Sequence, residues 1–428
     1  MPRVAVIGGG WAGLAAAVTA VQADAHPSLF EMAPQLGGRA RSLDQGAGRD
    51  NGQHILIGAY TEALQLMREL GLAPEQVLRR LPLTLRYPDG AGLTLPPGHP
   101  GVAFARAVLA GRRWPWRARW SLLRHATRWQ LNGFECDSML TVAQLCHQMD
   151  ATVMRDLVSP LCVAALNTPA AQASAQVFLR VLHDALFSGQ GSADLLLPRA
   201  PLSALLPQPA ASWLTAHQVP VHMSTRAQIQ RGDSSWRVNG QAFDAIVLAT
   251  PAREAARLTQ ALAPDWSALA AAVGFEPIVT VYLRAQATRL PEPMLALREG
   301  PQAPAQFIFD LAQLGHPLGG YAMVVSGACR WVEHGLDACA QACLAQVQTQ
   351  LTWTQPPVLE QVLADKRATF SCVPRLHRPP SRIDERLWAA GDYIEGPYPA
   401  TLEGAVRSGR HSMRSLLQVL KMQSNFAM

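Results

Sequence analysis

The residues nearest the start of the chain that could take part in chemistry are a group of glycines and one glutamate. A short apolar run leads into Gly8-Gly9-Gly10-Trp11-Ala12-Gly13, and the next apolar run ends in Glu31. Gly8 accepts turn angles that strain other residues, and Gly10 lets the backbone approach a pyrophosphate. Gly13 lets a helix pack closely on the strand before it, and Glu31 can accept hydrogen bonds from ribose hydroxyls. This spacing predicts a dinucleotide site.

A strand, a helix and a second strand must occur in that order to bring these residues together. The run Arg3–Ile7 predicts the first strand, and the alanine-rich stretch Ala12–Gln22 predicts a helix whose N-terminus presents free N–H groups to phosphates. Ser28–Phe30 predicts the second strand. Because all these parts appear in order, the glycine turn is interpreted as a binding turn rather than as an ordinary surface turn.

A second group of residues lies more than three hundred positions later. Leu387-Trp388-Ala389-Ala390-Gly391-Asp392 is followed by Thr401-Leu402-Glu403-Gly404-Ala405 and by Ser408-Gly409. Proteins that bind FAD return to the cofactor with their last strand and helix, whereas the N-terminal motif alone does not distinguish FAD from NAD. The two groups together predict FAD.

A third glycine element, Leu36-Gly37-Gly38-Arg39-Ala40-Arg41, follows the ribose acid. It resembles the GG motif of the amine oxidase and phytoene desaturase flavoprotein superfamily. The resemblance implies an α/β (α+β) fold, with a Rossmann-like FAD-binding domain of the glutathione reductase and amine oxidase type interleaved with a substrate domain of mixed sheet and helices. It also implies that Asp392 lies at the ribityl and pyrophosphate region, and that the helix beginning near Thr401 points its N-terminus at the flavin.

The residues expected to bind FAD come from these three elements and from a few neighbours, including Arg226, which the resemblance places near the adenine. They are Gly8, Gly10, Trp11, Ala12, Gly13, Glu31, Met32, Gly37, Gly38, Arg39, Gln53, His54, Arg226, Gly391, Asp392, Thr401, Leu402 and Ala405.

The pattern along the chain alternates between the two expected domains. Residues 1–75, 191–260 and 369–428 are assigned to the FAD-binding domain, and residues 76–190 and 261–368 to the substrate-binding domain. The first substrate segment is predicted to be mainly helical, and the second contains predicted strands at Ile278–Leu283 and Ala322–Ser326. A chain of 428 residues exceeds a single hydrophobic core, so two intertwined domains are expected.

The composition predicts a protein with a large apolar core. Apolar residues make up 49% of the chain and charged residues only 16%. We find neither a signal peptide nor an apolar run of about eighteen residues, so neither export nor a spanning helix is expected and the predicted location is the cytoplasm, at the inner face of the membrane. The seven cysteines lack zinc spacing, so they are interpreted as free thiols and no metal is expected.

The net charge of +6 is concentrated in one segment. Arginines alternate with tryptophans from Arg112 to Trp129, and no acidic residue occurs between Gly101 and Phe134. No nucleic-acid-binding pattern accompanies this charge, so no nucleic acid partner is expected. Guanidinium groups suit anionic headgroups and indoles suit the lipid boundary, which predicts contact with an anionic membrane. The alternative is a helical pair whose tryptophans pack inward and whose arginines are solvated.

A narrower resemblance rests on three stretches. They are Asn51–Tyr60, Gly191–Arg199 and Gly391–Gly404. Together they resemble the squalene-associated FAD proteins of bacterial hopanoid synthesis, the hydroxysqualene dehydroxylases, over essentially the whole chain. The resemblance implies that hydroxysqualene loses its allylic hydroxyl as water and receives a hydride from reduced flavin. It also implies a long, apolar, water-excluding pocket for a C30 isoprenoid.

The sequence leaves the proton donor for the hydroxyl open. His54 is the first candidate, and a histidine that only fixes the loop is the alternative. Asp194 and Tyr398 are further catalytic candidates, each of which also has a structural interpretation, and Tyr60 is a weaker one.

Three other functions compete with this interpretation. An amine oxidase would carry a lysine near the flavin, in a strand resembling Phe275–Tyr282, and an aromatic residue near Thr401; this chain has neither. A carotenoid or phytoene desaturase would use the same fold in the oxidising direction, and the stretch Asn51–His54 favours the squalene branch. A non-enzymatic FAD-stabilised membrane protein would have side chains filling the space in front of the flavin.

Overall fold

The computed structural model describes residues 1–43, 49–111, 113–232, 235–286 and 288–426. The strands, in chain order, are β1 (Arg3–Ile7), β2 (His26–Phe30), β3 (Leu56–Ile57), β4 (Leu78–Leu81), β5 (Thr84–Arg86), β6 (Gly92–Thr94), β7 (Leu195–Pro198), β8 (Val221–His222), β9 (Ile229–Arg231), β10 (Trp236–Val238), β11 (Gln241–Phe243), β12 (Ala245–Leu248), β13 (Phe275–Arg284), β14 (Met294–Ala296), β15 (Phe307–Asp310), β16 (Tyr321–Val325), β17 (Val358–Phe370) and β18 (Leu387–Ala389).

The helices are α1 (Trp11–Gln22), α2 (Thr61–Glu69), α3 (Pro74–Val77), α4 (Pro100–Ala110), α5 (Trp116–Leu131), α6 (Val142–Leu145), α7 (Ala151–Val153), α8 (Ser159–Leu166), α9 (Ala175–Phe187), α10 (Leu202–Leu205), α11 (Pro207–Ala216), α12 (Ala252–Thr259), α13 (Pro264–Ala271), α14 (Cys329–His334), α15 (Leu336–Gln350) and α16 (Leu402–Phe426). Among these described helices, none has the length and apolar character that crossing a membrane requires.

A five-stranded parallel sheet forms the centre of the predicted FAD-binding domain. Its order is β18-β12-β1-β2-β8, so β1 lies in the middle. All residues of β1 after Arg3 are buried. Helices cover both faces of such a sheet, which is why its strands are continuous apolar runs rather than alternating ones. The carboxyl ends of β1, β2, β12 and β18 therefore meet at one edge.

Helices α1 and α16 pack against each other beside this sheet. A Cβ atom at Gly409 would overlap the backbone carbonyl of Ala12, so the glycine sets how closely the two helices approach. The alanine-rich α1 is buried from Trp11 to Ala20. The last helix of the chain is thereby held against the first.

A second, antiparallel sheet belongs to the predicted substrate domain. Its order is β14-β15-β16-β13-β17. Helix α15 covers one face through Cys339, Cys343 and Val347. The other face carries Phe307, Phe309 and Val324 toward the helices α4 to α9. The predicted strands at 278–283 and 322–326 are both part of this sheet.

Two helical stretches are interrupted. The stretch from Ala151 to Leu166 contains a π-helical segment, Met154–Val158, between α7 and α8. The stretch from Leu202 to Ala216 is divided at Leu206, whose φ of −144° is not helical, and Pro207 then starts α11.

The predicted domain segments can be compared with the sheets directly. Residues 1–75, 191–260 and 369–428 supply every strand of the parallel sheet. The predicted limit at 368 falls inside β17, which continues to Phe370. Strand β4, from a predicted substrate segment, pairs with β7 from an FAD segment, so this boundary is shared between the two domains.

Candidate functional site

The turn between β1 and α1 has the geometry that the glycine motif predicts. Gly8 has φ +109°, and its N–H donates to the Phe30 carbonyl at 2.8 Å. A Cβ atom at Gly13 would overlap the Gly8 carbonyl oxygen, so this glycine allows the helix to start directly under the strand. At Gly10, by contrast, an added Cβ would meet nothing closer than the Gly38 Cα at 3.9 Å. Gly10 therefore leaves open space at the helix N-terminus, as a phosphate site requires.

The second glycine pair lies directly against the first turn. Gly37 has φ +110° and Gly38 has φ +60°, conformations that favour glycine. The Gly37 N–H donates to the Gly9 carbonyl at 2.8 Å. The two turns thus form one cradle of backbone at the edge of the sheet.

Glu31 lies at the end of β2 beside this cradle and is buried. Its Oε2 accepts from the Gly9 N–H at 2.6 Å, and its Oε1 accepts from the Ala33 N–H at 2.7 Å. Each carboxylate oxygen has two lone pairs, so Glu31 can still accept hydrogen bonds from a ribose diol. These two hydrogen bonds fix the Glu31 carboxylate and the backbone segments that donate them.

Arg39 and Asp392 form an ion pair across the site, with Arg39 Nη2 and Asp392 Oδ1 2.6 Å apart. Arg39 Nη1 also donates to the Ala368 carbonyl at 2.6 Å. Burial lowers the pKa of the Arg39 guanidinium, but the charge and hydrogen bond of Asp392 outweigh that effect and raise it. The pair therefore joins the N-terminal loop to β17 and to the loop after β18.

A cavity of about 790 Å³ begins at the cradle. Buried polar side chains ordinarily have hydrogen-bond partners. Among the described atoms, three buried polar groups that line this cavity have none: Arg41 Nε, Thr250 Oγ1 and Tyr393 Oη. Unpartnered polar groups, an open glycine cradle and a preset ribose acid fit a bound dinucleotide such as FAD.

Nearly all residues predicted to bind the cofactor line this one cavity. They are Gly8, Gly10, Trp11, Ala12, Glu31, Met32, Gly37, Gly38, Arg39, Gln53, His54, Arg226, Gly391, Asp392, Thr401, Leu402 and Ala405. Gly13 lies behind the turn and acts through packing instead. Met32 is 60% exposed and the Arg226 side chain is 62% exposed, so both lie at the outer end of the cavity.

Beyond the cradle the cavity continues as a long apolar arm. Its walls come from β6, from the helices α4, α5, α8 and α9, and from the inner face of the antiparallel sheet. The side chains that line the arm include Leu93, Phe104, Leu122, Trp129, Phe134, Leu157, Leu161, Phe178, Leu182, Phe187, Phe307, Phe309 and Val324. We call this part the apolar arm. The described side chains line this arm, whereas those of a non-enzymatic FAD protein are expected to fill the space in front of the flavin.

His54 lines the cavity, but its geometry does not suit an acid. Its Nδ1 is 3.1 Å from the Gly52 carbonyl, an acceptor, so Nδ1 carries the hydrogen. Burial lowers the pKa of the imidazole, which therefore stays neutral and leaves Nε2 as an acceptor. His54 can accept a hydrogen bond from a hydroxyl group in the cavity; a neutral ring in this tautomer has no proton on Nε2 to donate.

A cluster of charged and polar side chains lies in the wall of the apolar arm. Asp184 on α9 receives hydrogen bonds from His183 at 2.9 Å and from Arg180 at 3.0 Å, and also interacts with the Tyr398 hydroxyl. Although burial opposes it, these hydrogen bonds lower the pKa of Asp184, which is therefore ionised. The guanidinium carbons of Arg180 and Arg407 lie 5.6 and 5.4 Å from the Tyr398 ring centroid.

The sequence did not single out Asp184 or Arg180. A separation of four residues on a predicted helix was a signal for their ion pair, but nothing in it placed that pair beside Tyr398.

The third catalytic candidate, Asp194, does not line the cavity. Its carboxylate pairs with Arg80 at 2.9 Å, and its backbone N–H donates to the Gly191 carbonyl. The neighbouring residues Ala193 and Leu195 reach the cavity instead. The geometry therefore gives Asp194 a structural role at the end of β7 and offers no support for a catalytic one.

The position expected to hold the lysine of an amine oxidase lies on β13. There Ile278 and Thr280 line the cavity, and no lysine occurs among its described lining residues. Thr401 lies where an aromatic residue would be expected. The described cavity thus lacks the side chains that are expected of an amine oxidase.

Comparison with known proteins shows which family the chain belongs to. The model of the family described as flavin containing amine oxidoreductase matches residues 11–416. The chain belongs to this family. The match to the flavin amine oxidoreductases confirms the prediction of an FAD-dependent oxidoreductase.

Two solved structures illustrate the shared fold. Cyclohexylamine oxidase from Brevibacterium oxydans has a TM-score of 0.72 and 15% identity, covering 98% of this chain and 99% of that one. An oxidoreductase from Methanosarcina mazei has a TM-score of 0.73 and 13% identity, covering 96% and 100%. The predicted fold class is confirmed.

Two curated relatives within the family support the narrower resemblance. A hydroxysqualene dehydroxylase from Sinorhizobium fredii is 26% identical over 444 residues, covering 96% of this chain and 98% of the relative. One from Rhodopseudomonas palustris is 27% identical over 450 residues, covering 96% and 97%. The predicted resemblance to hydroxysqualene dehydroxylases is thereby confirmed over nearly the whole length.

Proposed function

We propose that this protein removes the allylic hydroxyl of hydroxysqualene reductively and releases squalene. One observation carries the proposal: the dinucleotide cradle continues into an apolar arm whose wall carries a polar cluster, Asp184 with Tyr398. A long hydrocarbon with one hydroxyl matches such a pocket. The similarity to hydroxysqualene dehydroxylases supports the same substrate.

The reaction needs a proton, a hydride and the exclusion of water. The C–O bond breaks as the hydroxyl takes up a proton and leaves as water, and a hydride then forms the new C–H bond at the allylic cation. FAD in its reduced form, when bound in the cradle, would supply that hydride. The apolar arm excludes the bulk water that would otherwise capture the cation.

Tyr398 is the proton donor in this proposal. Its hydroxyl hydrogen is donated to ionised Asp184 in the structure, and in this proposal the substrate hydroxyl replaces Asp184 as the acceptor; His54 is neutral with its hydrogen directed at Gly52. The guanidinium groups of Arg180 and Arg407, whose central carbons lie 5.6 and 5.4 Å from the Tyr398 ring centroid, stabilise the negative charge that develops as the proton leaves. Asp184 orients the phenol, and His54 Nε2 can accept the hydrogen of the substrate hydroxyl.

The outer surface of helices α4 and α5, which we call the α4–α5 face, supports a proposal about where the protein takes up its substrate. This face consists of the exposed side chains Val102, Arg106 and Leu109 on α4 and Trp116, Arg117, Trp120, Arg124 and Leu131 on α5. Trp116 and Trp120 are 62% and 65% exposed, and the inner sides of the same helices line the apolar arm. We propose that this face lies on an anionic lipid surface, so that a water-insoluble substrate reaches the arm from the bilayer.

The test of the activity is an anaerobic reaction of the purified protein with dithionite-reduced FAD and hydroxysqualene, followed by mass spectrometry. Squalene is expected with reduced FAD only. The matched control uses oxidised FAD with phytoene. Conversion of phytoene to a coloured polyene at a comparable rate, without squalene in the first reaction, would instead establish a carotenoid-type desaturase.

A further inference from the structure

One side chain lies between the apolar arm and the protein surface. A separate surface cavity of about 430 Å³ is lined by Gly98, His99, Pro100, Phe187, Gly189 and Gln190. Of these residues, Phe187 alone also lines the apolar arm. Phe187 is therefore the residue at which the two cavities adjoin.

The surroundings of Phe187 allow its ring to move. It is the last residue of α9, and the chain continues through Gly189 at φ +143°, so helical hydrogen bonds do not fix the backbone beyond it. Its ring neighbours are Phe134, with centroids 5.0 Å apart, and His183 at 6.4 Å. On the α4 side it faces Gly101, where an added Cβ would lie 3.6 Å from the ring. All these contacts are van der Waals contacts, which a rotated ring can exchange for others.

The surface cavity opens beside the α4–α5 face. Its rim includes Pro100, the first residue of α4, and the exposed Val102 follows two positions later. An apolar chain that leaves a bilayer at this face meets the surface cavity before it meets the apolar arm. No aspartate, glutamate, lysine or arginine occurs among the described residues that line the surface cavity, so a hydrocarbon passing through it would not remove water from any of these ions.

We propose that Phe187 is the gate of a portal through which the isoprenoid chain enters the apolar arm from the lipid surface. The portal runs between the start of α4 and the end of α9. This inference rests on the proposed function, because only a long apolar substrate requires a route that avoids water. The occupant of the portal is the hydrocarbon tail, and Asp184 of the polar cluster lies three residues before Phe187 on α9.

The test measures uptake rather than turnover. The FAD-loaded, oxidised protein is mixed rapidly with phosphatidylglycerol vesicles that contain squalene, and the perturbation of the flavin absorbance is followed in time. Phe187→Ala is expected to accelerate uptake by about 2- to 10-fold, the range that removing a rotamer barrier allows. Phe187→Trp is expected to slow it, and the final amplitude is expected to change little in both variants. Phe187→Leu repeats the comparison if either variant loses FAD.

Phe104→Ala is the matched control, since Phe104 lines the arm but not the surface cavity. This variant is expected to change the squalene concentration that half-saturates the protein. It is not expected to accelerate uptake as Phe187→Ala does. Equal uptake rates in the wild type and in all Phe187 variants would overturn the portal while leaving the substrate proposal intact. No squalene uptake by the wild-type protein would overturn the proposed substrate itself, and the portal with it.

Discussion

Single residues at the two ends of the cavity have separable roles. Glu31 holds two backbone N–H groups and still has lone pairs for a ligand, while Tyr398 meets the substrate end of the same cavity. A change at the first should alter cofactor binding, and a change at the second should alter chemistry with the cofactor in place.

Glu31→Ala is expected to weaken FAD binding by roughly 1–3 kcal/mol, the cost of leaving ribose hydroxyls without their charged acceptor. Titration of the apoprotein with FAD, followed by flavin fluorescence, measures the change. Glu31→Gln is the control, because it keeps one acceptor oxygen and should lose less. Unchanged FAD affinity in the alanine variant would mean that the ribose binds elsewhere.

Tyr398→Phe is expected to lower the rate of squalene formation by about 10²–10⁴-fold, the usual contribution of a positioned acid, with FAD binding unchanged. Single-turnover kinetics under anaerobic conditions give the rate. Tyr60→Phe removes a hydroxyl from another tyrosine that lines the cavity and should keep most of the activity. Equal rates for both variants would exclude Tyr398 as the donor.

At the scale of the elements, the site depends on helices that must approach closely. The α1–α16 contact at Gly409 holds the last helix beside the glycine turn, and the α4–α5 pair presents one face to the arm and the other to solvent.

Gly409→Ala is expected to destabilise the protein by about 1–3 kcal/mol, because its methyl group overlaps the Ala12 carbonyl and the helices must separate. Urea denaturation measures the loss. Gly396→Ala is the control, since an added Cβ there lies 3.9 Å from its nearest neighbour, the Ile394 carbonyl oxygen. If both variants unfold at the same urea concentration, the helix contact is less tight than the structure describes.

The α4–α5 face is expected to bind anionic vesicles in a salt-sensitive manner, since each arginine near such a surface contributes on the order of 1 kcal/mol and exposed charges are screened over about 8 Å. A variant with Trp116→Ser, Arg117→Gln and Trp120→Ser should bind about tenfold or more weakly in co-sedimentation. The control carries Leu318→Ser, Val358→Ser and Arg237→Gln on other exposed surfaces. Equal sedimentation of both variants would place the membrane contact elsewhere.

The tryptophans of that segment show why the sequence left two alternatives open. Trp114 and Trp129 are buried in the core, whereas Trp116 and Trp120 are exposed, so each alternative describes half of them. Arg119 donates to the carbonyls of Leu109, Gly111 and Trp114 and thereby fixes the turn between α4 and α5. Arg112 lies outside the described residues. Because tryptophans occur on both the buried and the exposed side of this segment, its composition alone does not show which of them are in the core.

At the scale of the whole molecule, the cofactor site was predictable because it depends on backbone conformation. Gly8 and Gly37 need positive φ angles, and such requirements are visible in a sequence. For the apolar arm, the sequence predicted a long apolar pocket but not the residues that line it, because its walls come from side chains of helices that are distant in sequence. For the same reason Asp184 was missed and Asp194 was named as a candidate: the sequence gives the residue types but not which residues face the cavity.

FAD should stabilise the whole protein, because its predicted ligands come from both ends of the chain and from the segment near Arg226. At a free FAD concentration of one hundred times Kd, the free energy of unfolding is expected to rise by about 2.7 kcal/mol. Urea denaturation with and without FAD measures this, and FMN, which lacks the adenosine half, is the control. Equal stabilisation by FMN would contradict the role assigned to Glu31.

The ion pair between Arg39 and Asp392 joins residues that are 353 positions apart. Strand β1 is synthesised first, but its neighbour β12 and the outer strand β18 come much later. During translation the glycine turn therefore leaves the ribosome long before the partners that complete it. FAD can therefore bind fully only after the C-terminal helix has been synthesised. Until then the apolar face of α1 is uncovered, and a chaperone would have to shield it from other nascent chains.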